Sequence, residues 1–339
     1  MDKKITIYDV AKKANVAIST VSRVLNDSAF VSESTRTKVQ KAIKELDFRP
    51  QISARKLASK EPQILGIVVP SFTTPFFNEV LKGVKDEIKQ LDLDIVIFNT
   101  GSNNPKQAFE KFLDRGTADT LIVFSISIDE KIDRRLKSAH IPVLLIGSNH
   151  PDYDYIEFDN YTGGYKAGEH LARQGFKTIG MISPAILSKA SSDREKGFRA
   201  ALEDNNVEID EDLFLIGETT KHAGFSEEAG YEAVYQFDRL GNFPEAIFCS
   251  NDTMAIGAFN ALSRLGMSVP EDIAIMGYDN IKFSKYLDLT TVDQMMYDIG
   301  TQATHRLGEI LKKTDGDRLQ VVTEPMLIKR NSTKNMRKK

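Results

Sequence analysis

The 339-residue chain contains a single cysteine, Cys249. One thiol excludes an internal disulfide, offers no cysteine-ligated metal site and fits a reducing compartment. No apolar run approaches the roughly 18 residues that a membrane helix needs, and the polar opening MDKKITIYD is no signal peptide, so a cytoplasmic protein is expected. Catalytic signatures are scarce too. The five histidines, at 140, 150, 170, 222 and 305, are scattered along the chain. Gly163, Gly164 and Gly168 give GGxxxG rather than the dinucleotide fingerprint, and there is no Walker loop. No catalytic residue, cofactor or metal site is therefore expected, and the chain reads as a non-enzyme.

What is present is unevenly distributed. Residues 1–60 carry 13 Lys+Arg against 6 Asp+Glu, a charge of +7, and the remainder carries 32 against 42, or −10. A basic head on an acidic body suggests that the head meets a polyanion. Apolar content of 41% and charged content of 27% suit an ordinary globular protein, and the length calls for two or three compact units.

In the head, Thr6 followed by Asp9 is an N-cap signature, and Ile7, Val10, Ala11 and Ala14 repeat with helical spacing. Asn15 tolerates the positive φ of a tight turn. In the next helix Val21, Val24 and Leu25 face the same core, while Ile18, Ser19, Ser22 and Arg23 project outward as a recognition helix requires. Ser32 is expected to cap a third helix in which Val39, Ala42, Ile43 and Leu46 close the core, and Pro50 stops it. Ile52 to Ala58 has helix-forming residues but few apolar partners. It is expected to become helical only when clamped between DNA and a second copy of the chain.

With these features in place, residues 5–60 resemble the head of the LacI/GalR family of bacterial transcriptional regulators. Asn15 stands where many members have Gly, and Ala17 where the family has a capping Ser, a loss of roughly 1 kcal/mol. The resemblance implies that Ile18 and Ser19 touch base edges: Ile18 against a thymine methyl, Ser19 by hydrogen bonding. It makes Arg23 a guanine or phosphate contact and Leu57 a wedge in the central minor groove, beside Ala54 and Arg55. Thr6, Tyr8, Thr20, Ser22 and Asn26 complete the implied DNA-contacting set. The rival account makes the helix residues merely exposed and Leu57 a linker residue packed on the body.

From Gln63 onward, the runs ILGIVV, LDIVIF, DTLIVF, PVLLIG, YIEFD, TIGMIS, EAIFCS and DIAIMGYD read as buried strands separated by amphipathic helices such as Phe77 to Gln90. This alternation implies parallel sheets covered on both faces, divided in two near Asn160 to Gly164. The body resembles the rest of the same family as far as EPMLIKRNST, which implies an α/β fold: a helix-turn-helix head (1–50), a hinge helix and linker (51–61) and a periplasmic-binding-protein-like body. Its two Rossmann-like lobes are expected at 62–160 plus 292–323 and at 161–291 plus 324–339.

Ser71, Phe76, Arg194, Asn251, Asp279 and Gln294 match family effector positions. Asp279 can accept two neighbouring hydroxyls, Arg194 and Asn251 can donate, and Phe76 gives an apolar wall, a set suited to a sugar or sugar derivative. Asn251 and Asp279 could instead cap turns, Arg194 could be a structural ion pair, and Asp159 reads as structural. Gly147 stands where well-studied members place an Asp facing the effector. The loop from Gly217 to Gly230 is longer than usual, which makes His222 and Phe225 either extra contacts or surface residues. The expected protein is a homodimeric repressor that binds duplex operator DNA under the control of a small molecule bound between the lobes. One alternative is a catabolite-control-type regulator answering to a phosphocarrier protein, suggested by MMYDIG at 295–300 but with His305 where that branch has an arginine. Another, a sugar-binding transport component, is disfavoured by the missing signal peptide. The tail after Arg330 lacks leucine heptads, so no tetramer is expected.

Overall fold

A computed structural model of the chain describes residues 5–25, 30–48, 62–101, 104–314 and 316–336. They form two compact units, Met1–Gln63 and Ile64–Lys339. Among the described residues no helix is long and apolar enough to cross a membrane.

The first unit holds α1 (Ile7–Ala14), α2 (Ile18–Leu25) and α3 (Glu33–Glu45) around a core that includes Val10, Val21, Val24, Val39 and Phe48. The carboxylate of Asp9 accepts from the backbone N–H and the hydroxyl of Thr6, at 2.8 and 2.7 Å, which fixes the start of α1. Asn15 adopts the left-handed conformation, φ 51° and ψ 52°, and so turns the chain into α2. Ser32 does occupy the cap position of α3, but its hydroxyl donates to Thr35 Oγ1 at 2.9 Å and makes no side-chain cap bond. A neighbouring hydroxyl competes successfully for it, so the expected cap is backbone only.

The second unit alternates strands and helices. Its first half runs β1 (Ile64–Val69), α4 (Pro75–Ile88), β2 (Asp94–Asn99), α5 (Pro105–Arg115), β3 (Thr120–Phe124), α6 (Glu130–Ala139), β4 (Val143–Ile146) and β5 (Asp154–Phe158). There follow α7 (Asn160–Gln174), β6 (Ile179–Ser183), α8 (Lys189–Asp204), β7 (Phe214–Ile216), α9 (Glu227–Leu240), β8 (Ala246–Cys249), α10 (Asp252–Arg264), β9 (Ala274–Met276) and α11 (Lys282–Tyr286). The chain ends with β10 (Thr291–Asp293), α12 (Met296–Lys312), β11 (Gln320–Thr323) and β12 (Met326–Ile328).

Two parallel sheets result, ordered β11-β5-β4-β3-β1-β2 and β7-β6-β8-β9, while β10 and β12 pair antiparallel. Each sheet with its helices forms a lobe. Within both, the first strand lies between the second and the third, the doubly wound order whose carboxyl ends leave a ligand crevice. Three connections join the lobes: β5 to α7, β10 to α12 and β11 to β12. Helix α12 returns to the first lobe and packs on α4.

The helices on these sheets approach one another through glycine. A Cβ on Gly83 would lie 2.1 Å from the Tyr297 carbonyl and one on Gly300 2.2 Å from that of Val80; Gly164 and Gly197, and Gly230 and Gly257, form equivalent reciprocal pairs on α7/α8 and α9/α10. The GGxxxG run thus serves helix packing, with Gly163 under the Tyr278 ring.

One strand departs from expectation. The apolar run of β2 reads as buried, yet Ile95, Val96 and Ile97 are 36%, 37% and 44% exposed. As the terminal strand of its sheet, β2 has only β1 beside it.

Candidate functional site

In the head, α2 buries Val21 and Val24 and leaves Ile18, Ser19 and Arg23 exposed, with Thr20 and Ser22 partly so. Thr6 and Tyr8 are exposed at the start of α1. An isoleucine left 41% exposed at the first residue of a short helix is available to an apolar partner such as a thymine methyl. Asn26, Ala54, Arg55, Leu57 and the expected hinge helix lie outside the described residues.

In the body, Ser71 follows β1, and Gly147 follows β4. Phe76, in the first turn of α4, meets Phe158 edge-on with ring centroids 5.9 Å apart. Gly147 adopts φ +69°, and a Cβ there would meet Ser125 Oγ at 3.1 Å and the Phe158 ring at 3.4 Å. An aspartate at this position would crowd both. The first lobe therefore offers hydroxyl and aromatic groups but no charge at these positions.

The second lobe offers charge. Arg194 on α8 lies with its guanidinium 3.8 Å from the Tyr278 ring centroid, a cation–π contact. Its Nε donates to Asn160 Oδ1 at 2.9 Å, its Nη1 to the Ser250 carbonyl at 2.7 Å, and its Nη2 lies 3.7 Å from Asp279 Oδ1. Asp279 also accepts from Gln294 Nε2 at 2.6 Å. Arg194, Asn251, Asp279 and Gln294 are only 6%, 7%, 4% and 2% exposed. Burial pushes the Asp279 carboxyl up to about 6 even with Arg194 beside it.

Asn251 Oδ1 caps α10 by accepting from the Met254 N–H at 2.9 Å, which leaves its amide nitrogen for a ligand. Asp159 caps α7 through Thr162, a structural role. His222 Nδ1 lies 3.3 Å from Ser71 Oγ, bridging the lobes, whereas Phe225 packs against the second-lobe core. Two residues escaped sequence reasoning. Asn160 is the partner of Arg194. Asp252 accepts from Thr291 Oγ1, Ser284 Oγ and the Ile281 N–H at 2.7, 2.5 and 2.9 Å, and so fixes the loop that carries Asp279. Burial and the neighbouring Asp279 push Asp252 up to about 7. The only cue to either was position, one residue beyond Asp159 and Asn251.

A groove of about 400 Å³ lies elsewhere, between α4 and α11, lined by Pro75, Leu81, Phe283, Lys82, Lys85 and Lys282. Asp133, His150 and Asp152 come close enough to hold a cation, but the Lys137 ammonium lies 2.8 Å from Asp133 and 2.6 Å from Asp152 and competes for both carboxylates.

A three-helix head with an exposed recognition helix, in one chain with a body of two doubly wound lobes, defines the class: DNA-binding regulators that carry a ligand-binding body. Residues 6–51 match the bacterial regulatory proteins of the lacI family, and residues 169–333 match a periplasmic binding protein-like domain. The chain is 32% identical over 338 residues to the HTH-type transcriptional repressor PurR of Mannheimia succiniciproducens, covering 98% of this chain and 99% of that one. The Lac repressor dimer bound to operator and the anti-inducer ONPF is similar in structure (TM-score 0.76, 27% identity, 98% of this chain and 99% of that one). So is the transcriptional regulator CelR in its cellobiose complex (TM-score 0.68, 27% identity, 97% and 99%). The chain belongs to the LacI family of bacterial transcriptional regulators. It is a DNA-binding regulator with an effector-binding body, and its relatives are repressors rather than enzymes.

Proposed function

We propose that the chain is a cytoplasmic homodimeric repressor whose operator affinity is set by a sugar or sugar derivative bound between the lobes. The observation that carries this reading is the buried group of Arg194, Asp279, Asn251 and Gln294 at the carboxyl ends of the second-lobe strands, opposite Ser71 and Phe76. Such a set pairs charge-assisted donors and acceptors with an apolar wall, as a polyhydroxylated ring requires. We assign residues 1–50 to the head, 51–61 to the hinge, 62–160 plus 292–323 to one lobe and 161–291 plus 324–339 to the other. Ile18, Ser19 and Arg23 read the half-site, with Thr6, Tyr8, Thr20, Ser22 and Asn26 positioning the helix, and Leu57 wedges into the central minor-groove step, with Ala54 and Arg55 beside it. The exposed apolar edge of β2 supports association with a second copy.

A phosphoprotein partner is the weaker reading. His305 is flanked by Glu87 at 3.3 Å and Glu309 at 3.7 Å, carboxylates that repel a phosphate group.

The test is calorimetry with an effector found by screening sugars against the full chain. Arg194→Ala should weaken binding ten- to a hundredfold, the roughly 1.5–3 kcal/mol of a hydrogen bond to a charged group, while leaving the preferred DNA site unchanged. Unchanged affinity would remove the cleft assignment. Changing Ile18 and Ser19 together should alter the consensus selected from random duplexes, and an identical consensus would show that they do not read bases.

A further inference from the structure

The two charges of the cleft are each tied to a side chain on a different connection between the lobes. Arg194 Nε donates to Oδ1 of Asn160, which opens α7 directly after the crossing from β5, and Asp279 Oδ1 accepts from Gln294 on the connection from β10 to α12. Neither bond belongs to a helix or strand ladder. All four residues are nine-tenths or more buried, so water does not compete for these bonds.

The connecting residues are themselves anchored. Asn160 Nδ2 donates to the Phe158 carbonyl at 3.2 Å, across the turn that leaves β5. Beside Gln294, Asp293 accepts from the Met295 N–H at 2.7 Å and from Asn280 Nδ2 at 2.9 Å, which ties the left-handed Met295 (φ 56°) to the loop carrying Asp279. A displacement of Arg194 or Asp279 must therefore stretch one of these bonds or move a connection. The charges also keep capacity for a ligand: Arg194 Nη2 and Asp279 Oδ1 stand 3.7 Å apart, beyond hydrogen-bonding distance, so a ligand hydroxyl placed between them would draw on both.

We infer that Asn160 and Gln294 are the coupling residues of the cleft: they convert occupancy of Arg194 and Asp279 into lobe angle, and in the ligand-free chain they hold the angle that sets operator affinity. This rests on the reading of the cleft as the effector site. Two polar groups that merely satisfy each other in a core would, when removed, lower stability without changing lobe geometry.

The experiment uses the full-length dimer with spin labels on Lys111→Cys and Lys196→Cys, exposed positions on α5 and α8, one in each lobe. Labelled chain is diluted in unlabelled chain so that each dimer carries at most one labelled copy. The interlobe distance distribution is measured by double electron–electron resonance, and affinity is measured for a duplex that the wild type selects from random DNA. Asn160→Leu and Gln294→Leu should each displace the distribution and change operator affinity at least tenfold, whereas Asn160→Asp, which keeps an acceptor for Arg194, should restore the wild-type distribution. If a leucine variant does not fold, Gln294→Met keeps the length of the side chain without a donor for Asp279 and should displace the distribution too. Wild-type distances and affinity in the folded Leu and Met variants would overturn the inference, as would an Asn160→Asp distribution matching that of Asn160→Leu. No effector is needed for these readouts, so their failure leaves the cleft assignment to the calorimetry on Arg194→Ala.

Discussion

The two lobes share a strand order and a reciprocal glycine contact between packed helices, yet the residues proposed to face the cleft differ in chemistry: Ser71, Phe76 and Gly147 on the first, Arg194, Asn251 and Asp279 on the second. Charge is expensive to bury and needs a prebuilt network; Asp252, Tyr278 and the Ser250 carbonyl supply one around Arg194 and Asp279, whereas the buried Arg306–Asp154 pair of the first lobe joins α12 to β5. On the proposed reading of the cleft, the second lobe would hold a ligand through these charges and the first would close over it with neutral contacts, so that holding and closing are divided between two similar scaffolds.

The largest expected effect probes whether the glycine contacts serve the lobes equally. A Cβ on Gly164 would lie 1.9 Å from the Arg194 carbonyl, and one on Gly83 2.1 Å from the Tyr297 carbonyl. Both Gly164→Ala and Gly83→Ala should destabilise the body by roughly 3 kcal/mol in thermal unfolding, because backbone cannot rotate away as a side chain can. Only Gly164→Ala displaces Arg194, so only it should also weaken effector binding. Equal loss of binding in both would mean that the cleft depends on the whole body rather than on its second lobe.

A second, intermediate effect is confined to the second lobe. His170 on α7 is buried, near Lys329, with Nε2 2.8 Å from Thr333 Oγ1 of the C-terminal segment. Burial foremost, and Lys329 next, hold its pKa down to about 4 from 6.5. The unfolded chain therefore takes up this proton first as pH falls. The contribution is fully present above pH 6.5 and is lost between 6.5 and 4, about 2 kcal/mol from pH 7 to pH 5. Asp252 and Asp279, raised to about 7 and 6, act in the opposite sense over the same range, so the measurement is a difference. The stability gap between wild type and His170→Gln should narrow by that amount at pH 5, and a constant gap would show that His170 titrates normally.

How far the sequence reveals this division depends on the distance over which each feature is built. The head is legible because its determinants are local: helical spacing at Val10, Val21 and Val39, the Thr6–Asp9 bond and the left-handed Asn15 all act within a few residues. Eight apolar runs mark eight strands, but β7, β10, β11 and β12, three or four residues each, lie outside those runs; β4, β8 and β9 are as short and lie within them, so length alone does not separate the two groups. The exposure of β2 was hidden because the same apolar run serves a central or an edge strand. Family resemblance picked out Arg194 and Asp279, but their mutual geometry was illegible, since Arg194 meets Asn160 across 34 positions and Ser250 across 56. For Asn251 the sequence offers a ligand contact or a cap, and its carbonyl oxygen does cap a helix.

The smallest expected effect gives the sharpest test of the asymmetry. Ser71 meets the second lobe at His222, its Oγ 3.3 Å from Nδ1, at the long end for a hydrogen bond. Neutral hydrogen bonds contribute about 0.5–1.5 kcal/mol, so Ser71→Ala should weaken effector binding roughly two- to tenfold, less than the loss expected for Arg194→Ala. His222→Ala should cost about as much, and the double variant little more than either alone, because both remove the same contact. Additive losses in that cycle would mean that each side chain touches the effector separately. A loss at Ser71 as large as that at Arg194 would show that the first lobe grips the ligand as firmly as the second, and the division between holding and closing would fall.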